Sequence, residues 1–287
     1  MPSKITFPGL LKITRVWNLL IIVIAQYFTV LFLAHGGLSA SEILMSEKLF
    51  LLALSTCLIA AAGYIINDYY DVKIDLINKP DRVVVGKSMK RRVAMFMHIA
   101  FSGIGVLLGV LLDWKIVVVN LFSVLLLWLY SNQLKRMPLV GNLSVALLTG
   151  LSIYVVHFIF PSGHILVIAY AIFAFSFTLI REIIKDMEDL KGDATYGCKT
   201  LPVLLGIRKT KVVVYLLSVI FLITMFILTY MFADSQLNLL TIGLILPLAI
   251  LFGLLRNADT IKEYYQLSQF CKLIMLVGIF SMMIFYP

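Results

Sequence analysis

Two triads of aspartates in this chain share one spacing. Asp68, Asp71 and Asp75 stand in Asn67-Asp68-Tyr69-Tyr70-Asp71-Val72-Lys73-Ile74-Asp75. Asp186, Asp189 and Asp193 stand in Asp186-Met187-Glu188-Asp189-Leu190-Lys191-Gly192-Asp193. Both read D-x-x-D-x-x-x-D and follow a long apolar run, a spacing that places three carboxylates on one face of a helix. Like charges stacked that way repel, and repulsion alone favours neutralising some of them. A chain that does this twice is expected to hold cations. Hard divalent ions take oxygen ligands, and Mg²⁺ fits best when a phosphate shares its coordination sphere. The three cysteines (Cys57, Cys198, Cys271) and four histidines (His35, His98, His157, His164) are scattered, so any metal site has to be built from carboxylates.

Amides and cations accompany the acids. Asn67, Asn78, Lys79, Arg82, Lys135, Arg136 and Lys185 fall at the same helix ends. Acids and bases at one rim suit an anion bridged by metals, with carboxylates on one side of Mg²⁺ and phosphate oxygens on the other. Below that rim, Tyr27, Phe28, Tyr64, Tyr69, Tyr70, Trp128, Tyr130 and Tyr154 are expected to line an aromatic cavity. A diphosphate head at the rim and a hydrocarbon tail in the bundle describe a polyprenyl diphosphate. Its ionisation leaves an allylic cation that aromatic faces stabilise.

The elements that position these groups are membrane helices. Of 287 residues, 61% are hydrophobic and 14% charged, which points to an all-α, polytopic membrane protein. Nine apolar stretches are long enough to span: 16–34, 48–66, 93–112, 115–131, 139–160, 164–184, 212–232, 237–255 and 268–286. The first is expected to be retained as a helix rather than cleaved as a leader. With the N-terminus in the cytoplasm, Lys48 and Lys115 alone of 24 Lys and Arg fall outside, and the C-terminus lies outside as well. The net charge of +9 is therefore read as topology rather than as a nucleic-acid surface.

That map puts both triads at the cytoplasmic end, four helices apart, with the helix centres free of charge. One domain covers 1–287, capped by loops at about 67–92 and 185–211. The basic clusters at 87–92 and 208–211 read as lipid-headgroup contacts. Gly105 and Gly109 read as helix packing, Trp17, Trp114 and Trp128 as interfacial anchors, and the histidines as structural. Asn18 and Asn142 are read either as cavity residues or as bonds between neighbouring helices.

The chain resembles the UbiA superfamily of intramembrane prenyltransferases. The resemblance rests on the nine spans, on N-D-x-x-D-x-x-x-D at Asn67 to Asp75, and on the second motif at Asp186 to Asp193. Lys199 to Gly206, Arg15 and Asn18 at the start of helix 1, and Gly141-Asn142 opening helix 5 extend it. The resemblance implies a nine-helix fold around a central cavity. It implies that both triads bind Mg²⁺ and the prenyl diphosphate, that Arg82 and Lys135 touch the diphosphate, and that Asn18 lies in the cavity. Asn67, Tyr130, Asn142 and Lys185 complete the expected substrate contacts. Two departures stand out. Tyr130 and Lys135 are five apart where the family often has four, and Arg82-Val83-Val84-Val85-Gly86-Lys87 replaces the usual Arg-Pro-hydrophobic-Pro-Ser-Gly. The run Ile77 to Arg82 looks most like members that prenylate geranylgeranylglyceryl phosphate. An aromatic acceptor of the quinone or homogentisate type is the alternative. A cation-coupled transporter is the alternative of another class.

Overall fold

A computed structural model describes residues 7–78, 80–233 and 235–285, and the side chains of Phe7, Pro8, Arg82 and His164 lie outside that description. Among the described residues nine helices are long and apolar enough to cross a membrane. They are α1 (Val16–Leu33), α2 (Glu47–Asn78), α3 (Arg91–Val110), α4 (Trp114–Asn132), α5 (Val140–Phe158), α6 (Ile165–Glu188), α7 (Leu201–Phe232), α8 (Ser235–Asn257) and α9 (Ile261–Phe285). This is the expected all-α architecture.

Burial sorts the helices by role. Within their apolar stretches, α2 and α6 are 56% and 61% buried, against 17% for α4 and 22% for α7. The two helices that carry the acidic motifs are thus the inner ones. α2 packs on α3 and α4, and α6 on α5, α7 and α9. α1 touches α2, α5 and α9 and so lies between the two halves. The outer faces keep residues such as Leu107, Leu125, Leu216 and Leu246 exposed, as contact with lipid chains requires. Trp17 and Trp114 are exposed at span ends, the place of interfacial anchors.

Three apolar clusters hold the bundle. The largest joins α5 to α9 around Tyr170, Phe173, Phe177 and Phe221. A second, with Val30, Leu49, Leu52, Ile116 and Val156, closes the end opposite the motifs. A third, with Ile13, Ile65, Val84, Val85 and Met89, seats the 80–90 segment against α2 and α3. Val84 and Val85 are its buried anchors, which accounts for the valine run in place of prolines. Gly105 lets α3 approach α2: a Cβ there would meet Ile59 Cγ1 at 2.7 Å. The gap is bridged by Ser55 Oγ donating to Gly105 O at 2.8 Å and Asn120 Nδ2 donating to Ser55 Oγ at 2.8 Å.

Several helices outrun their apolar stretches. α2 continues through the whole first motif to Asn78, 32 residues and about 48 Å of unbroken helix. α7 begins at Leu201, with a break at Gly206 (φ 78°). Helix therefore replaces much of the expected 67–92 and 185–211 loops. α9 begins at Ile261 rather than 268, which moves Lys272 from near the end of the span to its interior. The helix centres are accordingly not free of charge.

Candidate active site

One cavity of about 750 Å³ runs through the bundle, lined by α1, α2, α4, α5, α6 and α9 and by the segments at 133–136 and 189–200. All six motif aspartates line it: Asp68, Asp71 and Asp75 on one wall, Asp186, Asp189 and Asp193 on the other. Asn18, Asn67, Tyr130, Lys135 and Lys185 line it too. Asn142 is not in the lining but reaches it through Asp186. The Arg82 and Lys79 side chains lie outside the described residues.

The first motif sits on continuous helix, so its offsets do put three carboxylates on one face of α2. The second does not. α6 ends at Glu188, Asp189 takes φ −92° and ψ 6°, and a short helix Leu190–Thr195 carries Asp193. Identical spacing is thus presented on a helix in one case and around a corner in the other. The corner is fastened to α2 by Asn78. Its Oδ1 accepts from Gly192 N at 2.9 Å, and its Nδ2 donates to Asp189 O at 3.2 Å. Gly192 is required there, because a Cβ would collide with the Asn78 amide.

Asp68, Asp71 and Asp186 are held by different kinds of partner. Arg15 Nη2 donates to Asp68 Oδ1 at 2.9 Å, and its guanidinium lies 4.8 Å from the Tyr64 ring centroid. Arg15 precedes α1 in a left-handed conformation (φ 51°, ψ 53°), strain of about 1–3 kcal/mol of the kind that collects at functional sites. Burial alone would lower its pKa, but the Asp68 charge opposes this and the guanidinium is held above its ordinary value. Lys135 pairs with Asp71, and both side chains are largely withdrawn from solvent. It stands on the turn Leu134–Arg136 just past the end of α4, so the extra residue between Tyr130 and Lys135 is taken up by the turn. On the other wall Asp186 Oδ2 accepts from Asn142 Nδ2 at 2.9 Å, an amide rather than a cation. Lys185 turns to Glu182 (2.8 and 3.0 Å), which also holds Arg181 Nη1 at 2.9 Å.

Among the described residues no three acidic, His or Cys side chains converge closely enough to grip one ion. The donor chemistry nonetheless fits Mg²⁺. Six carboxylates face one space, and Asn67 Oδ1, beside Asp68, is buried without a hydrogen-bond partner among the described residues. A hard oxygen of that kind suits a hard cation. Cys198 also lines the cavity, but burial and then the Asp193 charge push its thiol up, so it stays protonated.

The aromatic lining is not as expected. Of the eight aromatic residues, Tyr64 and Tyr130 face the cavity. Phe28 packs on Phe32 and Phe280, Tyr154 on Phe158, and Tyr69 under Arg91. The deeper wall is aliphatic instead, with Ile21, Ile59, Leu127, Leu148 and Leu151. Sequence reading also missed Arg15 as the partner of Asp68, Asn78 as the clamp, and Arg181 and Lys272 as cavity cations. Lys272 could have been found from Tyr265, Gln269 and Lys272, polar residues repeating on one helix face.

A family model described as the UbiA prenyltransferase family matches residues 19–273. The chain is 40% identical over 212 residues to the digeranylgeranylglyceryl phosphate synthase of Sulfurisphaera tokodaii, covering 73% of this chain and 76% of that protein. It is 36% identical over 227 residues to the protein of that name from Methanobrevibacter smithii, covering 76% and 80%. To that of Korarchaeum cryptofilum it is 33% identical over 245 residues, covering 83% and 85%. Among solved structures, one of digeranylgeranylglyceryl phosphate synthase in membranes aligns at TM-score 0.75 and 22% identity over 96% of this chain and 97% of that one. A UbiA homologue from Archaeoglobus fulgidus bound to DMAPP and Mg²⁺ aligns at TM-score 0.72 and 18% identity over 96% and 99%.

Proposed function

The chain belongs to the UbiA prenyltransferase family and is an integral multi-pass membrane prenyltransferase; from that premise we propose that it transfers a geranylgeranyl group to geranylgeranylglyceryl phosphate. The observation that carries this reading is the placement of both acidic motifs across one cavity whose deeper wall is aliphatic. The names of relatives 33–40% identical to it support the acceptor. Family membership also sets the transporter reading aside.

Asp68, Asp71, Asp75, Asp186, Asp189 and Asp193 would hold Mg²⁺, which supplies positive charge to a departing diphosphate. The chain's own residues do the rest. Lys135 and Arg15 sit at the rim, where their N–H groups reach diphosphate oxygens. Lys185 and Asn67 flank the same space. The aliphatic wall extends the prenyl chain and keeps water from its C1, while Tyr64 and Tyr130 present ring faces to positive charge developing there. The C1–O bond breaks with its electron pair leaving on diphosphate. The acceptor hydroxyl oxygen bonds to C1, and the hydroxyl proton is released. In this reading the rim faces the cytoplasm, because the basic residues concentrate at that end.

The test is transfer by purified protein in lipid vesicles supplied with Mg²⁺, labelled geranylgeranyl diphosphate and separate acceptors. Product with geranylgeranylglyceryl phosphate is expected. Product with an aromatic acid alone would replace the acceptor assigned here.

A further inference from the structure

We propose that Arg181 and Lys272 form a seat for the phosphate of the acceptor lipid, one helical turn deeper in the cavity than the acidic rim. The proposal rests on the acceptor reading above and adds where that acceptor's charge is held.

The first observation is position. Lys272 lies eleven residues past Ile261, about 16 Å into α9, and Arg181 lies five residues before Asp186, about 7.5 Å below it on α6. Both line the cavity. An ionisable group inside a membrane span is costly and by default functional.

The second is charge balance. At the rim Arg15 and Lys135 are each matched by a motif carboxylate. Deeper down, Arg181 and Lys272 have among the described residues the carboxylate of Glu182, which Arg181 shares with Lys185 at the rim. Lys272 Nζ is held by an amide oxygen, Asn18 Oδ1, at 3.0 Å. The Arg181 charge is close enough to act on Lys272. Two positive charges against one carboxylate that a third cation shares leave an excess of positive charge in a membrane cavity, and a phosphate monoester offsets it without a metal.

The third is unmet hydrogen bonding. Arg181 Nε and, one turn earlier on α6, Thr178 Oγ1 are buried without a partner among the described residues. Buried donors left unpaired are costly, and phosphate oxygens would satisfy both. Gln269, one turn from Lys272 on the same face of α9, adds a donor to the lining.

The arrangement also suits the reaction. In geranylgeranylglyceryl phosphate the free hydroxyl is on the carbon next to the phosphate-bearing one. A phosphate held one turn below the rim points that hydroxyl towards the C1 of a donor whose diphosphate is at the rim. The two anions then occupy separate sites, one acidic and bridged by metal, the other basic and metal-free.

The experiment compares Lys272→Gln with wild type in vesicles, measuring KM separately for donor and acceptor. It uses geranylgeranylglyceryl phosphate and its dephosphorylated alcohol as acceptors. The expected result is an acceptor KM raised tenfold or more, a donor KM within twofold, and loss of the preference for the phosphorylated acceptor. Lys272→Arg should restore most of that preference. An equal rise in donor KM would assign Lys272 to the diphosphate and overturn the seat, and so would an unchanged acceptor KM. A wild type that transfers nothing to the phosphorylated lipid overturns the acceptor reading and the seat together. Should Lys272→Gln fail to fold, Gln269→Glu sets a negative charge one turn away and must raise the acceptor KM alone.

Discussion

The two acidic motifs have the same spacing and different backbones beneath them. On α2 the carboxylates ride one face of a continuous helix, and Asp68 and Asp71 are tied to cations, Arg15 and Lys135. At the end of α6 the helix breaks at Asp189, the Asn142 amide holds the Asp186 carboxylate, and Asn78 holds the Asp189 backbone. A cation cancels charge, whereas an amide orients a carboxylate and leaves its charge in place. Asp68 and Asp71 therefore owe their placement to ion pairs, and Asp186 owes its placement to an amide. Sequence spacing alone does not convey this difference.

The largest expected effects come from the carboxylates themselves. Asp68→Ala and Asp186→Ala should each lower diphosphate release from labelled donor on the order of 10³-fold, because each removes charge-stabilising oxygens from a site with few substitutes. The contrast lies in stability. Asp68→Ala strands the strained Arg15, so its midpoint in detergent should fall further than that of Asp186→Ala, which strands a neutral amide. Activity within tenfold of wild type in either variant would break the assignment of both walls.

The next pair tests cation against amide directly. Lys135→Met leaves Asp71 without its partner in a largely desolvated position, a loss of about 3–5 kcal/mol for breaking such a pair. Asn142→Ala removes one hydrogen bond to Asp186, about 1–3 kcal/mol. Lys135→Met should therefore lower kcat/KM roughly tenfold more than Asn142→Ala. Equal losses would mean that the ion pair at Asp71 and the amide at Asp186 count alike in function.

A smaller effect is expected at the clamp. Asn78→Ala releases Gly192 N and Asp189 O, so the corner that aims Asp189 and Asp193 loosens while α2 stays helical. Activity should fall about tenfold, in line with about 1–3 kcal/mol for the freed groups, and the metal concentration giving half-maximal rate should rise. Gly192→Ala should reproduce the phenotype from the other side, since its Cβ occupies the space of the Asn78 amide. If Asn78→Ala leaves the metal dependence unchanged, the corner does not need its fastening.

How much of this was legible in the sequence follows from what each signal measures. Hydropathy found the spans because a bilayer demands about 20 apolar residues, and motif spacing found all six aspartates that line the cavity. Helix ends were missed where a helix runs on past its apolar stretch. Asn67 to Asn78 and the stretch before Phe270 are polar enough to look like loop, yet they are helix facing a polar cavity. The same averaging hid Lys272. The break at Asp189 had no proline to announce it, and Gly192 becomes telling only once Asn78 is known to lie against it. Aromatic residues were assigned to the cavity by type alone. Their real neighbours, such as Phe280 for Phe28, come from other helices and leave no trace in local sequence.

The finest test separates the Arg15 side chain from its backbone. Arg15 contributes an ion pair to Asp68, but its left-handed conformation works against it. Arg15→Ala and Arg15→Gly both remove the guanidinium, so both should lose activity to the same extent. Only glycine adopts φ 51° without a Cβ clash, so Arg15→Gly should be more stable than Arg15→Ala by about 1 kcal/mol. The measurement is the thermal midpoint of each purified variant beside its rate of diphosphate release. A gap in stability with no gap in rate would mean that the strain is borne for the side chain's placement against Asp68 and Tyr64. A gap in rate as well would mean that the bend before α1 itself shapes the rim, and the first wall would then depend on backbone geometry as much as the second.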